Sequence, residues 1–373
     1  MIDGFFLTQW FFSLLRWLTS VLGNSYVGAI LLTTLFLRLL QIYPDIKNRK
    51  TQKKQQAIQP ELEKLQKKYE NNPQKLNEEQ RKLMKANGVN MLAGCLPMLI
   101  TLPLFFCFLS AFRYWSYERD VILLYETVVC EEAEAAGESS DLAERTFESY
   151  RFLWITNIWQ PDSFSDVCAD PAKIRSRTPR KGGSCSCSCS SETDLQGLVV
   201  FNKGYTDLDG NKVAAEDIWE TLKNRGLVSG EFGKESMNML PEGLTANGDG
   251  KTADEIYTEL MSRYDTGYTN GMFILPVLAA AFQFLAAWLP TKLNKDQQSS
   301  NSQQEKSMKF MLWIFPIMSF VFCLTEGSAF ALYWVASSVF QLLSTLIISY
   351  IMSKDKTVIE VKPIPKETKN RRR

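Results

Sequence analysis

The amino-acid sequence predicts an all-α polytopic membrane protein with five transmembrane helices. Three observations lead there. Apolar residues gather in runs of the length that a ~30 Å hydrocarbon core demands. Lys and Arg are in excess in the connections between some of those runs, while Asp and Glu dominate one long connection. Lipid offers no partner to a bare backbone amide, so each run must be helical to cross it. The 373 residues carry a formal net charge of +1, a near-balance that hides this segregation.

Residues 1–23 predict an amphipathic helix lying at the outer membrane surface. Gln9, Ser13, Arg16 and Ser20 share one arc of the helical wheel, and Phe6, Trp10, Phe11, Leu14, Trp17, Leu18 and Val21 fill most of the rest. A signal peptide is the weaker reading, because Met1-Ile2-Asp3 is not a basic start. A sixth span stays open, since the stretch is nearly long enough. No Arg-rich transit peptide is visible.

The first span falls within 24–43 and carries Arg38 inside Leu35-Phe36-Leu37-Arg38-Leu39-Leu40. Arg38 lies about one and a half turns from the inner end. A charge well inside the core costs at least ~2.5–3.5 kcal/mol. Two readings compete: a snorkelling side chain that reaches the inner headgroups, or a hydrated, cytoplasm-facing cavity in which Arg38 attracts acidic groups on a passing chain.

Residues 44–93 predict a basic helical hairpin. Ile58, Leu62, Leu65 and Tyr69 recur at helical spacing, Asn71-Asn72-Pro73 breaks the pattern, and Leu76, Leu83 and Met84 resume it until Gly88. Lys53, Lys54, Lys64, Lys67, Lys68, Arg81 and Lys82 make it a candidate docking surface for a ribosome or nascent polypeptide. A solvated connector, or a face for anionic lipid heads, fits the same pattern.

The second span, 94–115, ends on Arg113 beside Tyr114 and Trp115, a combination that predicts interfacial anchoring. Residues 116–270 form a long extracytoplasmic loop with 15 Lys/Arg against 28 Asp/Glu. Its stretch from Glu118 to Glu148 is acidic and helix-compatible, and 163–265 suggests a small α+β insertion. Cys185, Cys187 and Cys189 alternate with serines; oxidation suits an outer compartment better than a soft-metal site. Asp207-Leu208-Asp209-Gly210 reads as a turn, because no Glu follows at the position a calcium loop needs.

The third span, 271–290, contains Gln283, and a short connection, 291–307, follows. The fourth and fifth spans, 308–325 and 326–352, share a tight turn at Glu326-Gly327 and carry Ser319, Ser337 and Ser338. Interhelical hydrogen bonding is the ordinary role of such residues. The tail, 353–373, ends Lys369-Asn370-Arg371-Arg372-Arg373. Lys/Arg excess in 44–93, between the third and fourth spans and in the tail places those parts in the cytoplasm, so the N-terminus lies outside and the C-terminus inside. The chain has no His and no Gly-x-x-x-x-Gly-Lys loop, which excludes His-based chemistry and that nucleotide site.

Several blocks in order resemble the YidC/Oxa/Alb family of membrane protein insertases. These are the Arg-bearing first span with its basic hairpin, Gly88-Val89-Asn90 leading to Gly94-Cys95-Leu96-Pro97-Met98-Leu99, Phe152-Leu153-Trp154-Ile155 with Gln160-Pro161-Asp162, Ile274-Leu275-Pro276-Val277-Leu278-Ala279, Phe315-Pro316-Ile317-Met318-Ser319-Phe320, and Ala331-Leu332-Tyr333-Trp334-Val335. The resemblance covers about residues 5–116, 150–165 and 270–352.

It implies five core helices around a hydrophilic groove open to the cytoplasm and to lipid, in a bacterial plasma membrane. Arg38 matches the groove arginine and Trp334 an aromatic position. A polar family position falls at Ala286, where Gln283 on the same face is the substitute. Thr101 stands where the family often has Gln, and Glu326-Gly327-Ser328 replaces a usual Pro-Ala-Gly. The expected groove set is therefore Arg38, Thr101, Gln283, Ser319, Trp334 and Ser337. The resemblance implies no enzyme chemistry and no cofactor. Implied partners are nascent membrane proteins and lipids, with the ribosome, signal recognition machinery and Sec translocon as further candidates; sequence-specific nucleic-acid binding is not expected. A secondary transporter or channel is the alternative, although it should show internal repeats; a receptor would explain the large loop but not the buried Arg.

Overall fold

The structure, a computed structural model, describes residues 6–89, 96–171, 198–234, 237–239, 250–293 and 302–354. The Asn90 to Cys95 lead-in, the Cys185, Cys187 and Cys189 cluster, the 294–301 part of the cytoplasmic connection and the tail beyond Lys354 lie outside them.

The elements run α1 (Phe6–Val21), α2 (Tyr26–Lys68), α3 (Pro73–Ala86), α4 (Leu96–Ala135), α5 (Leu142–Glu148), α6 (Val200–Lys203), β1 (Tyr205–Thr206), β2 (Lys212–Val213), α7 (Ala215–Asn224), β3 (Val228–Ser229), β4 (Asn238–Met239), α8 (Ala253–Met261), α9 (Ile274–Leu293), α10 (Ser302–Thr325) and α11 (Ser328–Lys354). The protein is thus mostly helical, with two small antiparallel ribbons, β1 with β2 and β3 with β4.

Two helices run past the ends their apolar stretches suggest. α2 does not stop at Tyr43; it continues through Pro44 and Pro60 to Lys68, a helix of 43 residues in all. A proline removes one ladder hydrogen bond and bends a helix, and here neither proline ends it. α4 continues past Trp115 to Ala135, so the acidic, helix-compatible stretch after the second apolar run continues the same helix.

The chain divides into two compact units. The first comprises Met1–Thr33, Phe106–Ala279 and Phe320–Val335. Its centre is aromatic: Tyr26 meets Trp159 with ring centroids 5.3 Å apart, Trp159 meets Trp115 at 4.9 Å, and Phe108 meets Tyr333 at 4.2 Å. Edge-on aromatic pairs add about 0.5–1.5 kcal/mol each beyond their buried area. α1 buries Phe11, Phe12 and Leu15 here and leaves Trp10 and Trp17 exposed. Arg16, on the polar stripe of α1, pairs at 3.0 Å with Glu118, which is fully buried.

The Phe152 to Asp162 block is built into this unit by polar contacts. Asn270 accepts from the Asn157 amide at 2.8 Å and donates to the Asn157 and Pro161 carbonyls. Asp162 accepts from the Met272 amide at 2.8 Å and the Leu275 amide at 2.6 Å, and so caps the start of α9 where the helix dipole favours a carboxylate. Gly271 permits this approach: a Cβ there would lie 2.0 Å from Asp162 Oδ1.

In the inserted part α6 packs on α7, with Phe201 meeting Trp219 at a ring-centroid distance of 5.8 Å, and Ile218 and Leu222 of α7 and Ile256 and Leu260 of α8 are buried. Asp207 accepts from the amides of Asp209 and Asn211, so this acidic segment is a side-chain-capped turn. Among the described residues no group of three or more acidic, Cys or His side chains is placed to hold a metal.

The second unit comprises Thr34–Phe105, Ala280–Ser319 and Ala336–Arg373. Within it the lower part of α2 packs on α3: Ile58, Leu62, Leu65, Leu83 and Val89 form a buried cluster, flanked by Tyr69, Leu76 and Met84. The turn between them is closed by Asn72, whose side chain accepts from the Lys75 amide at 3.1 Å, and by Pro73 at the first helical position.

Candidate functional site

The second unit brings together polar side chains from α2, α9 and α11. Arg38 sits on α2 among exposed apolar neighbours, Leu35, Phe36, Leu39 and Leu40. Its Nε donates to Ser337 Oγ of α11 at 2.9 Å, a bond reinforced by Nη2, and its Nη1 donates to Gln41 Oε1 at 3.0 Å. The guanidinium is therefore half-buried and aimed at a neighbouring helix. Next along α11, Ser338 donates to Gln283 Oε1 of α9 at 3.2 Å. Ser337 and Ser338 are 5% and 2% exposed, so this polarity is internal.

The other expected residues are placed as follows. Ser319 of α10 is buried at 1% exposure. Thr101 lies on α4, its side chain outside the described set. Ala286, the position of the missing family polar residue, is buried, while Gln283 one turn earlier makes the bond to Ser338. Trp334, in the first unit, stacks at a tilt on Phe330, centroids 5.7 Å apart. On the hairpin, Lys54, Lys67, Lys68 and Arg81 are exposed and Lys53 is half-buried. Lys64 pairs with Glu61 at 2.7 Å, and Lys82 with Glu78 and Glu79 at 2.9 and 3.1 Å, so these two cations are partly neutralised within their own helices.

Two residues beside Arg38 are not evident from the sequence. Asp45 and Arg49 lie in the 44–93 stretch that predicts the basic hairpin, yet both are half-buried on α2, and Arg49 donates to Thr345 of α11 at 2.8 Å. Their signal is spacing: 38, 41, 45 and 49 share one helical face.

The first unit corrects a further expectation. Arg113 is not a lone interfacial anchor. It forms a two-point ion pair with Glu326 at the turn between α10 and α11, with Nε to Oε2 at 3.0 Å. The same turn is closed by Ser328, donating to the Gln160 carbonyl at 2.7 Å, and by the Ala329 amide on the Ile158 carbonyl at 2.7 Å. Gly327 is required there, because a Cβ would lie 2.6 Å from the Trp159 carbonyl oxygen. Deeper in this unit, Glu126 accepts from Tyr205 at 2.8 Å, and burial pushes its carboxyl up to about 7 despite that hydrogen bond.

These features define a helical membrane protein. Among the described residues, the helices over Tyr26–Thr51 and Ser328–Ile351 are long and apolar enough to cross a bilayer, and Ile274–Leu289 and Leu312–Thr325 are shorter apolar helices. Large side chains such as Leu40, Trp313, Ile317, Ile347 and Ile351 are exposed on them, a surface suited to lipid. The chain belongs to the family described as 60Kd inner membrane protein, whose sequence profile it matches over residues 17–178 and 245–356.

Its relatives agree with the YidC/Oxa/Alb resemblance. It is 38% identical over 140 residues to "Membrane protein insertase YidC" of Clostridium perfringens (strain 13 / Type A), a match covering 38% of this chain and 47% of that one. It is 42% identical over 110 residues to the protein of the same name from Oceanobacillus iheyensis, covering 28% and 44%. It is 38% identical over 102 residues to "Membrane protein insertase MisCA" of Bacillus subtilis (strain 168), covering 26% and 39%. The chain thus spans less than half the length of these curated relatives.

Proposed function

We propose that this protein is a membrane protein insertase and chaperone. It moves hydrophobic segments and short polar tails of nascent membrane proteins from the cytoplasm into the bilayer, without nucleotide hydrolysis. The observation that carries the reading is Arg38, set in an apolar stretch and held on Ser337 of a second apolar helix. A half-buried guanidinium in such a place attracts carboxylates far more strongly than it does in water.

In this reading α2, α4, α9, α10 and α11 supply five spans around a hydrated groove open to the cytoplasm and lipid. The N-terminus lies outside and the C-terminus inside a bacterial plasma membrane. The groove shortens the apolar path that a polar tail must cross. Arg38 holds the tail transiently, with Gln283, Ser319, Ser337 and Thr101 lending hydrogen-bonding capacity and Trp334 an aromatic surface. The apolar segment then leaves sideways, driven by burial of its surface in lipid. The hairpin cations Lys53, Lys54, Lys67, Lys68 and Arg81, with Lys64 and Lys82, serve docking to anionic lipid or to the ribosome. Signal recognition machinery and the Sec translocon are the further partners of this scheme.

The test is insertion of a single-spanning protein with a short acidic outer tail into liposomes containing only the purified chain, scored by protease protection. The reading predicts protection well above that in protein-free liposomes. Equal protection in both would refute it.

A further inference from the structure

α9 is short for the bilayer it is read as crossing. Its apolar part, Ile274–Leu289, rises about 24 Å at 1.5 Å per residue, against a hydrocarbon core of ~30 Å. Either the bilayer thins to meet such a span, or apolar groups beyond its end make up the height.

Three chain segments are bound together at the start of α9. Phe152 and Ile155 exchange amide-to-carbonyl hydrogen bonds at 2.9 Å, which makes Leu153-Trp154 the tip of a tight turn. Trp154 Nε1 donates to Asp162 at 3.2 Å, and Asp162 accepts from the Met272 amide, so the tip is fixed beside the first turn of α9. The Gly271 amide donates to the Ser163 carbonyl at 3.0 Å, and Phe164 meets Phe273 edge-on with centroids 4.6 Å apart.

This rim is apolar and bare. Leu153, Phe164 and Met272 are 70%, 67% and 65% exposed, and Val277, one turn into α9, is 55% exposed. Residues 152–155, 163–165 and 266–274 carry no charge, in a connection otherwise rich in Asp and Glu. A single exposed apolar side chain is ordinary, but three on segments joined by hydrogen bonds form a patch. Backbone strain points the same way. Leu153 and Phe273 hold φ of +53° and +61°, a left-handed conformation that bulky residues rarely adopt and that Gly or Asn takes with less strain. Leu153 has little packing within the protein to offset this, so its side chain serves a contact outside it.

We propose that Leu153, Phe164 and Met272 form a collar immersed in the outer leaflet, in contact with the acyl chains and ester groups of lipid. The collar extends the apolar height of α9 and continues its exposed side at Val277. Lipid is the occupant because the patch adjoins the end of an apolar helix and offers no charge to a soluble partner. The proposal rests on the reading of α9 as a span that starts on the outer side.

The test uses the purified full chain in liposomes containing a phospholipid with a diazirine near the ester end of one acyl chain. After illumination, lipid adducts are located by mass spectrometry. Leu153, Phe164 and Met272 should carry adducts in yields comparable with Val277. Leu153→Asp places a charge at the tip without straining the left-handed backbone, and should reduce adducts at Phe164 and Met272 severalfold with helical content by circular dichroism unchanged. Adducts on Val277 without any on the three collar residues overturn the proposal, and place the thinned bilayer edge at the end of α9. Unchanged yields in Leu153→Asp overturn it as well, since an immersed carboxylate draws water to the collar. Absence of adducts from Val277 too overturns the reading of α9 as a span.

Discussion

Neutralising Glu326 tests how the turn between α10 and α11 is held. Glu326 is almost fully buried, its side chain 7% exposed, and both carboxylate oxygens engage Arg113. Removing one partner of a fully buried pair costs about 3–5 kcal/mol, because the other charge is stranded. The Arg113 side chain is 35% exposed, so water recovers part of that loss, and Glu326→Gln should cost about 2 kcal/mol. A double-mutant cycle isolates the pair from the rest of the turn. Unfolding midpoints would be measured in mixed detergent micelles, by circular dichroism, for native protein, Arg113→Gln, Glu326→Gln and the double variant. The double variant should be no less stable than the weaker single, with a coupling of about 1–2 kcal/mol. Strict additivity of the two singles would refute the ion pair as a structural element and return Arg113 to the role of an interfacial anchor.

Two further outcomes follow from the first unit. The Glu126 carboxyl titrates at about 7 when folded, against an ordinary value of 4.5. Between those values the folded protein holds a proton that the unfolded chain has released, so stability falls as pH rises from about 4.5 to about 7, by up to ~3 kcal/mol. Thermal midpoints at either end of that window should show this slope in native protein and a flatter one in Glu126→Gln; an unchanged slope would remove Glu126 as its source. Gly271→Ala should destabilise by about 1–3 kcal/mol, because the new methyl group collides with Asp162 and breaks its cap on α9. Asp162→Ala combined with Gly271→Ala should then cost little more than either alone, and full additivity of their unfolding midpoints would argue against that cap.

The sequence makes the helices legible where apolar spacing is strong. Ile58, Leu62 and Leu65 repeat at helical intervals and pack as one cluster with Leu83, and Asn72-Pro73 marks the start of α3 through ordinary capping chemistry. Family membership is legible too, since several short blocks fall in the right order. Continuity is harder to see. Pro44 signals a break in local terms, but α2 continues through it. The acidic run after Trp115 reads as helix-compatible and is helical, but the sequence does not show that Glu118 and Glu126 fold inward, because their partners Arg16 and Tyr205 come from distant parts of the chain. The ion pair of Arg113 is hidden for the same reason: its partner lies 213 residues away. Within the candidate site, Arg38 is conspicuous because its neighbours are apolar. Asp45 and Arg49 are hidden among hairpin charges, and only their register with Arg38 betrays them.

The central claim is that Arg38 handles the polar tail of an inserting chain. Its most direct test compares native protein, Arg38→Ala and Arg38→Lys in liposomes, with a single-spanning substrate bearing an acidic outer tail. The account predicts strong protease protection of that tail with the native chain and with Lys, and a loss of about tenfold or more with Ala, since one charge-assisted contact is worth at least that ratio. Insertion that survives Arg38→Ala would contradict the claim and reduce Arg38 to a side chain that snorkels toward the headgroups.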